Sequence, residues 1–102
     1  ERVVAIFDTE IGPMALVLVG SIFVASIETV WHGEVTPPTA KEVQTWQYTD
    51  NAPQLKRGEE MGRFNMGSTI IVLYGNDVMN WEDKLVAGKK VKLGEKIGQT
   101  SI

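Results

Sequence analysis

Short runs of apolar, β-branched residues, punctuated by Gly, Pro, Asp and Asn, set the pattern of this chain. Arg2–Phe7 (RVVAIF) predicts a strand, with DTEIGP as the turn that follows it. Met14–Val19 and Ile22–Glu28 predict a second and a third strand joined by a tight Gly20-Ser21 turn. The stretch EVTPPTAK, residues 34–41, is a Pro-broken connection, and residues 49–53 form a loop. Val43–Tyr48 sets Val43 and Thr45 against Gln44 and Trp46, an alternation that suggests another strand. Thr69–Tyr74 (TIIVLY) carries the strongest strand pattern of all. One helix candidate stands out, Met79–Val86, with Asn76 or Asp77 as its cap and Gly88 as its stop.

The uncharged run from Ile11 to Ile27 needs a separate decision. It falls just short of the about 18 residues that a membrane-spanning helix requires. Pro13 and Gly20-Ser21 interrupt it, and each half has strand length, so it reads as two buried strands. A short internal repeat adds to the β reading. Leu55-Lys56-Arg57-Gly58-Glu59-Glu60-Met61-Gly62 matches Val91-Lys92-Leu93-Gly94-Glu95-Lys96-Ile97-Gly98 in the pattern apolar-Lys-x-Gly-Glu-x-apolar-Gly. Each copy predicts a short strand, a glycine turn and a second short strand, and the two copies are expected to pack as facing corners. The fold expected is mainly β: one small barrel-sandwich-like domain over residues 1–102, with hairpins and at most one short helix.

Composition narrows the function classes. Lys plus Arg number 10 and Asp plus Glu 13, a net charge of −3 that argues against nucleic acid as a partner. A hydrophobic content of 43% against 23% charged residues excludes a disordered chain. The absence of cysteine excludes disulfides and thiolate metal sites, and a single histidine gives no basis for a histidine-built metal centre. The chain opens on Glu1 and runs at once into a strand, so we expect it to be part of a larger gene product. Charge is unevenly spread. Residues 84–96 hold five lysines against Glu95 alone, a local +4 that leaves −7 for the remainder. A solvated strand edge that discourages aggregation is the preferred reading of that segment. Contact with an anionic membrane surface is the alternative.

Candidate chemistry concentrates in Gly58–Tyr74, GEEMGRFNMGSTIIVLY. Gly67-Ser68-Thr69 stands between two strands as a glycine-hinged corner that carries a hydroxyl, and such corners can store backbone strain. Other groups suggest less. Glu59 and Glu60 are adjacent, so on a strand they point to opposite faces and form no acid–base pair. Asp8 and Glu10 flank a turn and read as solvated. Trp31, Trp46 and Trp81 read as core or semi-core residues rather than interfacial anchors. Met61 and Met66 read as packing.

Three segments together resemble one family: FDTEIGPMALVLVGSIFVASIETVW (Phe7–Trp31), TPP (Thr36–Pro38) and KRGEEMGRFNMGSTIIVLY (Lys56–Tyr74). The chain is similar over most of its length to the C-terminal part of bacterial phosphatidylserine decarboxylases. The resemblance implies a zymogen that cleaves itself between Gly67 and Ser68. Ser68 supplies the hydroxyl, Gly67 the carbonyl, and Thr69 a donor to the oxyanion. Residue 68 becomes a pyruvoyl group at the head of a second chain, Ser68–Ile102. The implied lyase activity converts phosphatidylserine to phosphatidylethanolamine and CO2 through a Schiff base to that group, with no metal and no diffusible cofactor. The implied location is the cytoplasmic side of the cell membrane, as a peripheral protein. The implied partners are the lipid substrate, the membrane surface and an upstream segment of the same precursor. Exposed strand edges add pairing between copies, as a homodimer, to the expectations. The family takes the Asp and His that activate its serine from that upstream segment. His32, in VWHGEVTPP, does not match the family's histidine motif and is not assigned the role; it reads as a surface or half-buried residue of a strand-end turn. The fragment alone is therefore expected to be inactive. The alternative reading is a non-catalytic barrel-sandwich binding or carrier module, which would need a modifiable Lys or a phosphorylatable His. No lysine here has the Met-Lys-Met setting of such carriers.

Overall fold

Apolar residues at every second position need a pleated neighbour, and the first third of the chain supplies its own. In the computed structural model, which describes residues 2–20, 27–36, 43–64 and 69–101, β1 (Arg2–Thr9) turns at Glu10-Ile11 into β2 (Gly12–Val19). Thr9 ties that turn. Its hydroxyl donates to the Gly12 carbonyl at 2.5 Å and accepts from the Ile11 N–H at 3.3 Å. Next come β3 (Ile27–Thr29), β4 (Gly33–Thr36), β5 (Gly62–Phe64), β6 (Thr69–Tyr74), β7 (Met79–Trp81) and β8 (Gly98–Thr100). Three small sheets result, in the orders β1-β2-β6, β4-β3-β5 and β7-β8. Among the described residues there is no helix and no closed barrel, and the mainly β expectation holds.

The chain divides into two compact units, Glu1–Val4 with Val17–Ile71 and Ala5–Leu16 with Val72–Ile102. In the first, β3 is the central strand of its sheet. Ile27 is fully buried, Thr29 nearly so, and Leu18 of β2 is the other buried aliphatic residue among the described residues. The register of β3 with β5 is Ile27↔Phe64, Glu28↔Arg63 and Thr29↔Gly62. In the second unit β7 and β8 pair as Met79↔Thr100, Asn80↔Gln99 and Trp81↔Gly98. The Tyr74 and Trp81 rings meet at 5.9 Å between centroids.

The repeat is a structural repeat, one copy in each unit. In the first copy the Glu59 N–H donates to the Lys56 carbonyl at 3.0 Å, and the Lys56 N–H donates back to Glu59 Oε1 at 2.8 Å. In the second, the Glu95 N–H donates to the Lys92 carbonyl at 3.0 Å and the Lys92 N–H to Glu95 Oε2 at 2.9 Å. The third residue of each turn is glycine with φ of 81° (Gly58) and 84° (Gly94), the type II requirement. The last glycine of each copy opens a strand and lies flat on the strand opposite. A Cβ at Gly62 would collide with the Glu28 carbonyl oxygen, and one at Gly98 would sit 2.9 Å from the Asn80 carbonyl oxygen. Matching backbone bonds seal both junctions, Val30 N–H to the Met61 carbonyl and Glu82 N–H to the Ile97 carbonyl, each at 2.9 Å. The entry side of each copy, at Leu55-Lys56 and Val91-Lys92, is not strand as expected. The turn's hydrogen bonds occupy its backbone instead.

Two other expectations are corrected. Val43–Tyr48 is irregular and exposed, with Val43 at 96%. Alternation alone does not make a strand, and no strand among the described residues pairs with it. Trp46 lays its ring against His32 instead. Met79–Val86 is not helical. Asp77 takes a positive φ of 58° in a turn, and Met79–Trp81 joins the ladder with β8. A helix of one or two turns cannot repay its nucleation against an available strand partner. Of the predicted third strand, residues 27 and 28 are observed in β3; the Gly20-Ser21 turn and residues 22–26 lie wholly or partly outside the described residues.

If the terminal glycines set how closely the strands approach, Gly62→Ala should destabilise by about 2–3 kcal/mol through overpacking. Gly58→Ala should cost about 1–2 kcal/mol, the price of a left-handed residue with a side chain. Urea unfolding followed by tryptophan fluorescence measures both, and equal midpoints for Gly62→Ala and the parent chain would refute the packing argument.

Candidate functional site

The sequence concentrates its chemistry on the link between β5 and β6. Gly67 and Ser68, with Asn65 and Met66, lie outside the described residues. Thr69 is the first residue of β6 and is exposed. The flanks of the link are held in different sheets. Upstream, Phe64 is half-buried and paired with the fully buried Ile27 in the β4-β3-β5 sheet. Downstream, β6 is hydrogen-bonded to β2 in the β1-β2-β6 sheet. Both flanks of the link are thus held in hydrogen-bonded ladders.

A charged cluster sits directly upstream. Arg63 Nη2 lies 2.8 Å from Glu60 Oε1, Arg63 Nε donates to the same oxygen at 3.0 Å, and Arg63 Nε lies 3.9 Å from Glu28 Oε2 across the ladder. Arg63 is 61% exposed, so each pair contributes no more than about 1 kcal/mol. The cluster fixes side-chain placement on β5 more than it stabilises the fold. Beneath it, Thr29 Oγ1 is buried without a hydrogen-bond partner among the described residues, a cost of about 1–3 kcal/mol. Thr29, Glu28, Glu60 and Arg63 line one small cleft. The sequence reading missed this group. Its signal was two polar residues, Glu28 and Thr29, inside an otherwise apolar strand.

The remaining candidates are dispersed. Glu59 caps the Lys56 turn while Glu60 pairs with Arg63, so the two carboxylates do separate work. His32 is exposed in the turn between β3 and β4, its ring 4.5 Å from that of Trp46. Trp46 and Trp81 are 45% and 43% exposed, less buried than core residues would be. Asp8 and Glu10 are exposed at the first turn, and Met61 is half-buried. Among the described residues no group of His, Asp and Glu could hold a metal ion, and no helix is long and apolar enough to cross a membrane.

Comparison with known proteins identifies the family. The sequence profile described as phosphatidylserine decarboxylase matches residues 1–99. A phosphatidylserine decarboxylase proenzyme of Methylococcus capsulatus is 54% identical over 98 residues, which cover 96% of this chain and 34% of the relative. Proenzymes of the same name are 55% identical in Shewanella pealeana, over 97% of this chain and 34% of the relative, and 57% identical in Pseudomonas fluorescens, over 96% and 35%. The chain thus spans about a third of the length of these curated relatives. No solved structure matches it. With the profile matched across nearly every residue and identities above half, the chain belongs to the phosphatidylserine decarboxylase family.

Proposed function

We propose that this chain carries the self-cleavage site and part of the β scaffold of a pyruvoyl-dependent phosphatidylserine decarboxylase. The observation that carries the reading is the MGRFNMGST sequence, residues 61–69, within a family match over residues 1–99. The anchoring of Phe64 and Thr69 in different sheets supports it.

The chain's own residues supply the reacting atoms of the proposed maturation step. Ser68 Oγ attacks the Gly67 carbonyl carbon; the C–N bond breaks and an ester forms, leaving the nitrogen of residue 68 as an amine. Removal of the residue 68 α-proton then expels Gly67 as a carboxylate. The dehydroalanine left at residue 68 tautomerises, takes up water and loses ammonia. Glycine at 67 leaves the attacked carbonyl unshielded, and an N–H or Oγ of Thr69 is placed in sequence to steady the oxyanion. The residues present fit the group that results, because a serine preceded by glycine and followed by an anchored strand provides its atoms and holds its position. When formed, the pyruvoyl ketone supplies an electrophile for the substrate amine and a sink for the electrons released as CO2 leaves.

The base for Ser68 is proposed to come from an upstream segment of the same precursor. β1 exposes Val4 and Ile6, and β6 exposes Ile70, Ile71 and Leu73, aliphatic side chains available for another polypeptide to cover. This supports a covering segment or a second copy. The reading includes work at the cytoplasmic face of a bacterial membrane, where the lipid substrate resides.

In the full-length polypeptide, intact mass should show two chains broken between residues 67 and 68, and borohydride with phosphatidylserine should trap label at residue 68. Ser68→Ala should give one uncut chain and no CO2 release; an uncut chain that still decarboxylates would refute the proposal. Residues 1–102 alone should release no CO2, measured with carboxyl-labelled lipid, and a rate from the fragment would show that the base lies within it.

A further inference from the structure

The two repeat turns share a backbone and differ at the tip: Arg57 occupies the second position of the first, Leu93 that of the second. Leu93 stands wholly in solvent at 107% exposure, and Val86 and Val91 on the same stretch are 64% and 52% exposed. Lys89, Lys90, Lys92 and Glu95 line a shallow, open depression with Leu93. These three lysines form no salt bridge among the described residues, whereas Lys96 is engaged by Gln99 Oε1 at 2.9 Å and Glu82 Oε1 at 3.5 Å. Glu95, the one acidic residue of the stretch, is half-buried and accepts the Lys92 N–H. What reaches outward is therefore an aliphatic tip among three lysines that outnumber the single carboxylate beside them.

Lysines alone would suit a solvated edge. A leucine held out at their centre does not, since it offers apolar surface without packing against its own unit. Cations beside an apolar tip match the headgroup region of an anionic bilayer, where aliphatic side chains enter the acyl boundary and lysines meet phosphate. We propose that the Lys89–Leu93 stretch docks on an anionic phospholipid bilayer, with Leu93 inserted and Lys89, Lys90 and Lys92 on lipid phosphates. The inference rests on the reading that the protein works at a membrane, and adds the surface that makes contact.

The test is flotation of the full-length protein with phosphatidylcholine vesicles, with and without phosphatidylglycerol. The parent protein should float with the anionic vesicles only. Leu93→Ser should lower the partition coefficient about tenfold. Lys89→Gln, Lys90→Gln and Lys92→Gln should each lower it about fivefold. Arg57→Ser, in the sister turn, should change it by less than about twofold. Leu93 makes no packing contact to lose, so its replacement leaves the fold intact, and circular dichroism checks that. If the parent binds and Leu93→Ser binds equally well, the docking surface is elsewhere and the membrane reading survives. Equal binding to neutral vesicles overturns the lysine contact, and no binding by the parent overturns both readings.

Discussion

The organisation of this chain depends on how closely two backbones can approach where each repeat ends. At Gly62 and Gly98 the chain lies against the carbonyl of a neighbouring strand with no room for a side chain. That contact lets a turn capped by its own glutamate pass directly into a hydrogen-bonded ladder. In the first copy the ladder sets β5 on β3, with Arg63 opposite Glu28 and Phe64 on Ile27. The link to β6 then starts from a fixed point. Steric exclusion at one glycine is therefore transmitted through three residues of ladder to the edge of the proposed reactive segment.

Much of this was legible in sequence because it is local. Thr69–Tyr74 was read with the bounds that the structure gives, and the first two strands to within two residues at any end. The repeat was visible because glycine and glutamate recur at fixed offsets, each with one mechanical job. What was not legible is non-local. Val43–Tyr48 has strand alternation, but whether a partner strand exists is decided elsewhere in the chain. Met79–Trp81 read as the start of a helix, and only the distant β8 supplies the ladder that makes it a strand. Within the candidate site, Gly67-Ser68-Thr69 drew attention as a motif. The Glu28, Glu60 and Arg63 cluster did not, because Glu28 joins the local Glu60–Arg63 pair only through the β3–β5 register.

Family membership rests on a match over residues 1–99, and the proposed chemistry lies on residues 61–69 within it. The fold puts strands of different sheets on either side of residues 65–68. The polar group at the β3–β5 ladder is weak in energy and serves to orient side chains, as expected of exposed pairs.

The sheet orders carry a consequence for the two products of a break at residue 67. The β4-β3-β5 sheet would belong entirely to the longer product and β7-β8 entirely to the shorter one, but β6 is hydrogen-bonded beside β2. Severing the link would thus convert one polypeptide into a heterodimer laced together through a shared sheet. Loss of that lacing on heating would then separate the partners, and reassembly would become second order in concentration where the uncut precursor had needed only itself.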